Sequence, residues 1–209
     1  MLLGRCAVES NEVACDQTCF YPGGGGQPPD LGFLSHVRAD AAGVGRVVNL
    51  LSQQVRLKID SERRLALAQY HTVLHVLNTI VLRDYTGWIT GAQIGVDYSR
   101  VDFNLPGFSP VMREELERKV NAVLTTDHST RAFTLPEDEF RRRPALLRTI
   151  EVKPPVVERR AHVVEIVGFD AQACAGTHLP STAGLGRFSI TKTENKGKLN
   201  KRLYVHLAV

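Results

Sequence analysis

The chain has 209 residues, 43% of them hydrophobic, and a formal net charge of +4. That core suits one large domain, or a small domain joined to a medium one, in an ordinary globular protein, and the mild charge makes any case for nucleic acid rest on where the basic residues sit. Met1 to Asn11 shows no long apolar run behind a basic region, and the most apolar stretch, Val73 to Leu82, is broken by His75 and Asn78 and is too short for a bilayer, which argues against an exported or membrane-spanning chain.

Residues 1 to about 58 read as short strands divided by Gly, Asn, Asp and Pro: Arg5 to Val8, Val13 to Thr18, Phe33 to Val37, Val44 to Leu50 and Gln54 to Ile59. This predicts a small β domain over 1–58. From Asp60 the period changes. Asp60 or Ser61 caps a helix in which Ala66, Tyr70, Val73, Leu74, Leu77, Ile80 and Val81 recur at spacings of three and four, stopping near Gly87. It is apolar around most of its circumference, so burial against a sheet is expected.

Gln93 to Phe103 reads as strand and turn. A second helix opens at Ser109, with Pro110 in its first turn, and runs to about Leu124. After a strand near Thr130 to Leu135, Pro136 starts a short helix ending in Arg141, Arg142 and Arg143. Residues 161–167, 185–191 and 203–209 read as strands, the last two flanking a polar hairpin, Glu194 to Asn200. The fold class is α+β, with a second domain over 59–209.

Two residue pairs carry the chemistry. His71 and His75 stand four apart on the first helix, which puts both imidazoles on one face, one turn apart. Cys174 and His178 share that spacing in a loop where Gly176 permits a tight turn. A histidine pair alone is as often packed as ligating, but two matched pairs offer four donors of a kind that favours zinc, one ion per chain. Thr72 stands where a zinc peptidase helix carries its general-base glutamate, so a peptidase is disfavoured.

The chain has four cysteines without an evident paired framework, which points to a reducing compartment, by default the cytoplasm. Cys6, Cys15 and Cys19 form a rival donor group, although strands hold small apolar cysteines routinely. The glycine-rich segment Thr18 to Gly32, with Gly24, Gly25, Gly26 and Gln27 at its centre, lacks the Lys-Ser/Thr of a P-loop and a following helix. By composition it is a tight connection that lets backbones approach closely.

Taken together, Phe20 to Gly32, His71 to His75, Gln93-Ile94 with Arg100 to Phe103, and Cys174 to His178 followed by Gly184 to Phe188 resemble the AlaX-type alanyl-tRNA editing proteins, in their medium-length form. These are freestanding relatives of the alanyl-tRNA synthetase editing domain, and the resemblance runs in order over nearly the whole chain. It implies a small N-terminal β-barrel followed by a two-layer α/β editing domain with a zinc site. It also implies a trans-editing hydrolase that deacylates mischarged Ser-tRNA(Ala), and Gly-tRNA(Ala) as a further substrate. Pro29 and Ala175 depart from the family's pattern, in loop positions.

Such an enzyme needs a buried polar group that pairs with the serine hydroxyl and is left unsatisfied by alanine. Thr18 resembles the family's serine-sensing threonine; its other reading is a plain strand residue. Gln93 orients substrate or water, or is a surface glutamine, and Cys174 is counted with the catalytic residues as well as the ligands. Arg141, Arg142, Arg143, Lys192, Lys196, Lys198, Lys201 and Arg202 would meet tRNA phosphates, or are solvated surface. Neither membrane nor DNA is expected as a partner. The competing function is a non-catalytic, zinc-containing tRNA-binding module.

Overall fold

The computed structural model describes residues 2–9, 12–15, 17–36, 53–149 and 156–208. The chain divides into two compact units, Met1–Pro22 with Pro29–Arg64, and Gly23–Pro28 with Leu65–Val209. The glycine-rich turn therefore belongs with the C-terminal unit.

In the N-terminal unit β1 (Leu2–Glu9), β2 (Glu12–Cys15), β3 (Gly32–His36) and β4 (Gln53–Ile59) form an antiparallel sheet in the order β2-β1-β4-β3. Among the described residues this sheet is open, and the closed barrel implied by the resemblance is not formed: β2 and β3 are edges that do not pair with each other. The strand expected over Val44 to Leu50 lies outside the described residues. Buried Val55 and Leu57 of β4 gather Cys15, Cys19 and Phe20 around them. Cys15 is disulfide-bonded and Cys19 is free, so the expectation of unlinked cysteines fails here and Cys15 is no ligand of a rival site. Disulfide pairing depends on which strand residues face one another, and composition does not give that register.

One ion pair fastens this unit. The Asp30 carboxylate accepts from Arg64 Nε at 2.8 Å, from Arg64 Nη2, and from the Tyr21 amide at 2.6 Å. Burial alone pushes the Asp30 carboxyl up, but the Arg64 and Tyr21 hydrogen bonds outweigh it and hold it below the usual carboxylate range. A depressed acid stabilises the fold above its unfolded pKa of about 4 and loses that contribution as pH falls through the folded value. Asp30→Ala leaves the Arg64 guanidinium without its partner and is expected to cost about 1–3 kcal/mol at pH 7, the low end for such a pair because Arg64 keeps some solvent. The gap between variant and wild type narrows toward pH 3. Urea unfolding at the two pH values measures it, and equal midpoints at pH 7 would remove the pair from the stability account.

The C-terminal unit is built around α1 (Ser61–Tyr85). Asp60 caps it, accepting from the Arg63 amide at 3.0 Å, and its buried face runs almost unbroken from Tyr70 to Val81. By length and composition α1 is able to cross a bilayer, longer than the stretch marked in the sequence, but 78% of its apolar window is buried inside the protein, as in a core helix. It packs with α2 (Pro110–Leu124) over one face of a sheet formed by β5 (Trp88–Gln93), β6 (Ser99–Asn104), β11 (Arg187–Lys196) and β12 (Asn200–Ala208), ordered β11-β12-β6-β5. Phe103, Leu203, Val205, Phe188 and Ile190 alternate inward from that sheet, the pattern expected when one face is covered. The Ser109 hydroxyl accepts from the Met112 amide to cap α2, with Pro110 at its first position.

A second sheet joins β7 (Thr130–Pro136), β9 (Arg160–Ile166) and β10 (Asp170–Ala173), with the two-residue β8 (Val156–Val157) on β9. α3 (Glu137–Arg141) follows β7, as Pro136 predicts. Polar bonds lock β10 to α1. The buried Gln172 amide donates to His75 O at 3.0 Å and accepts from Asn78 at 2.9 Å. The strand β10 escaped the sequence reading because only four residues form it. The C-terminal hairpin is tighter than expected, with β11 and β12 paired as far as Lys196 and Asn200.

Candidate metal centre

His71 and His75 lie on consecutive turns of α1, both buried. Cys174 follows directly on β10, its amide continuing the ladder to His162 O at 3.0 Å, and His178 stands four residues on. The loop that carries them is tied down beyond His178, where Pro180 O accepts from the Thr130 amide at 2.8 Å and the Thr182 hydroxyl donates to Thr126 O at 2.8 Å. The four donor atoms all lie within 4.8 Å of one another and can hold a metal ion. Cys174 Sγ is 3.4 Å from Nε2 of both His71 and His178. Two donors of a tetrahedral ion with N and S bonds of about 2.0–2.3 Å sit roughly 3.4–3.6 Å apart, so these separations match that geometry.

Each outer hydrogen bond leaves an Nε2 lone pair for the centre. Gln27 Oε1 is a carbonyl oxygen 2.8 Å from His71 Nδ1, so Nδ1 carries the proton and Nε2 faces Cys174. The Thr72 hydroxyl commits its proton to Ala68 O at 2.8 Å, so His178 Nδ1, 3.3 Å away, donates to it. Thr72 also accepts from the Leu179 amide at 3.1 Å. The residue that replaces a peptidase's glutamate thus holds the ligand loop. That hold was not legible in the sequence, since a threonine on an apolar helix carries no distinctive signal of a long-range hydrogen bond.

Burial sets the electrostatics. It pushes the His71 imidazolium down to about 4, and pushes His75 and His178 well below their ordinary value, each further lowered by neighbouring histidines. Burial raises the Cys174 thiol to about 11. Arg148 adds to the lowering at His75, and three neutral imidazoles beside a thiol make a set of donors suited to a cation.

Gly176 owes its place to contact rather than to turn geometry. A β-carbon there would stand 2.1 Å from His71 Cε1 and 2.9 Å from Gln27 Oε1. Beside His178 opens a cleft of about 240 Å³ lined by Thr130, Arg131, Gly176, Leu179 and Pro180. That is below the roughly 300–1,000 Å³ of pockets for drug-sized ligands.

Thr18 belongs to the N-terminal unit, beyond the end of β2, exposed, its hydroxyl accepting from the Phe20 amide at 3.0 Å. Gln93 ends β5 opposite Arg100, with an exposed side chain. Arg141, Arg142 and Arg143 pair one turn back with Glu137, Asp138 and Glu139, and Lys192 pairs with Glu194. Asp102 holds Arg202 through two 2.7 Å bonds, and Lys201 reaches Asn195 at 2.9 Å. Lys196 and Lys198 are exposed at the hairpin turn.

Residues 162–204 match the family described as Threonyl and Alanyl tRNA synthetase second additional domain. The chain is 31% identical to the Alanyl-tRNA editing protein AlaX-M of Saccharolobus solfataricus over 94% of its length and 89% of that protein. It is 32% identical to the AlaX-M protein of Methanosarcina acetivorans over 96% and 90%. With the Alanine--tRNA ligase of Pyrococcus abyssi it shares 36% identity over 87% of its own length, against 22% of that larger protein. Identity at this level over nearly the full length of both partners identifies the chain as a member of the AlaX-M family of alanyl-tRNA editing proteins.

Proposed function

We propose that the chain is a zinc-dependent hydrolase that deacylates tRNA(Ala) mischarged with serine, with the glycyl ester as a second substrate. The observation that carries the reading is the convergent donor set, two of its members buried and two half-buried, beside a small cleft, in a chain whose relatives are named for alanyl-tRNA editing. A zinc ion held by His71, His75, Cys174 and His178 would act as a Lewis acid toward the ester or hold the aminoacyl amino group. His178 lines the cleft, so it is the donor nearest an incoming ester.

The protein's own groups do the rest. Gln27 and Thr72 hold the His71 and His178 rings in one tautomer. Thr18 supplies the hydroxyl partner that serine satisfies and alanine leaves empty, and Gln93 orients substrate or water through its amide. Lys196, Lys198 and Lys201 make the phosphate contacts at the hairpin end. Arg141, Arg142, Arg143, Lys192 and Arg202 add to them after exchanging acidic partners for phosphate, at a lower gain than the unmatched lysines.

One panel tests these roles together: deacylation of Ser-, Gly- and Ala-tRNA(Ala) by wild type, by Thr18→Val, and by Lys198→Glu with Lys201→Glu, at several salt concentrations. Wild type is expected to hydrolyse the seryl ester fastest, with rates falling as salt rises. Thr18→Val should lower the Ser-to-Ala ratio about tenfold for each 1.4 kcal/mol of discrimination lost, and the double charge reversal should raise KM. Salt-dependent tRNA binding without acceleration of any ester would replace the enzyme with a non-catalytic module.

A further inference from the structure

We infer that Gln27 is the positioning residue of the metal centre, holding the His71 ring and the loop of Cys174 and His178 in register through one side-chain amide. The inference rests on the reading that the four donors bind zinc. Gln27 is 2% exposed, and both ends of its amide are occupied. Oε1 accepts from His71 Nδ1 at 2.8 Å and from the Thr177 amide at 3.0 Å, while Nε2 donates to the Thr177 hydroxyl at 2.8 Å. One side chain thus joins a helix 44 residues along the chain to a loop 150 residues along. Thr177 lies between the two loop donors, so fixing its backbone fixes the span from Cys174 to His178.

The glycines exist to bring that amide there. Gly24 and Gln27 exchange two backbone bonds of 3.0 Å around Gly25 and Gly26, both at positive φ (58° and 86°), a two-residue turn that side chains at those positions oppose. Gly26 O accepts from the Ile94 amide at 2.8 Å, anchoring the turn to the end of β5, and a β-carbon on Gly26 would stand 2.7 Å from Ala92 O. The turn is therefore built to the edge of the sheet, and from there Gln27 reaches the ligand loop. An acceptor oxygen is required because Oε1 accepts two N–H groups. A hydrocarbon of the same size would leave His71 Nδ1–H and the Thr177 amide buried without acceptors, and His71 would be free to turn its Nε2 away from Cys174.

Zinc competition against a chromogenic chelator, on the purified chain without tRNA, tests this. Gln27→Leu should weaken zinc binding about 10–100-fold. Gln27→Glu, which keeps both acceptor contacts, should stay within about threefold of wild type or bind more tightly. If Gln27→Leu does not fold, nitrogen-15 NMR of the wild-type histidines decides: a proton on His71 Nδ1 is expected, and a proton on Nε2 overturns the inference. Gln27→Leu within about twofold of wild type overturns it as well, leaving the metal reading intact. A wild-type chain that takes up no zinc overturns both.

Discussion

Cys174→Ala should leave the chain with less than about a tenth of an equivalent of zinc and lower Ser-tRNA(Ala) deacylation by roughly 10²–10⁴-fold, several kcal/mol of lost barrier stabilisation. Cys174 is the only one of the four donors that becomes an anion. Its thiol stays protonated up to about 11 while the site is neutral, because burial disfavours the thiolate. A dication reverses that preference and gains the strongest bond of the set. His71, His75 and His178 stay neutral well into the acid range, so they compete little with protons but also compensate no charge. Chelation of wild type should reproduce the activity loss and zinc should restore it, whereas Cys174→Ala should not recover. Wild-type deacylation that persists after the metal is removed, shown by elemental analysis, would sink the zinc reading.

The metal set was legible because each pair is local: i and i+4 on α1, and i and i+4 in one loop. The match of spacings stood in for a hundred-residue separation that sequence does not bridge. The caps of α1 and α2 were legible for the same reason, since Asp60 and Ser109 act on amides three residues on. Gln27 was legible only as part of a glycine run, because its partners His71 and Thr177 come from distant segments. The arginine run was read by its own charge, yet each arginine had its acid four positions earlier, a spacing visible in the sequence once Glu137 to Glu139 are counted. The open N-terminal sheet was not legible, since alternation identifies strands and says nothing of which edges meet.

Gly176→Ala is expected to lower zinc affinity more than tenfold and to destabilise the metal-free chain by about 1–3 kcal/mol. The added methyl would fall 2.1 Å from His71 Cε1, 2.4 Å from His71 Nδ1 and 2.9 Å from Gln27 Oε1. None of these is the free end of a flexible chain. His71 is 6% exposed on a helix packed along most of its length, and Gln27 is held from both ends of its amide. The loop itself must move, and it carries two ligands. Gly107→Ala separates this effect from backbone strain, because Gly107 sits at a φ of 73° with nothing within 4 Å of its β-carbon position. That variant should lose about 1–2 kcal/mol and bind zinc as wild type does. If Gly176→Ala also keeps wild-type zinc affinity, the ligand loop tolerates displacement from His71, and the close approach of Gly176 to the ring does not set the geometry of the centre.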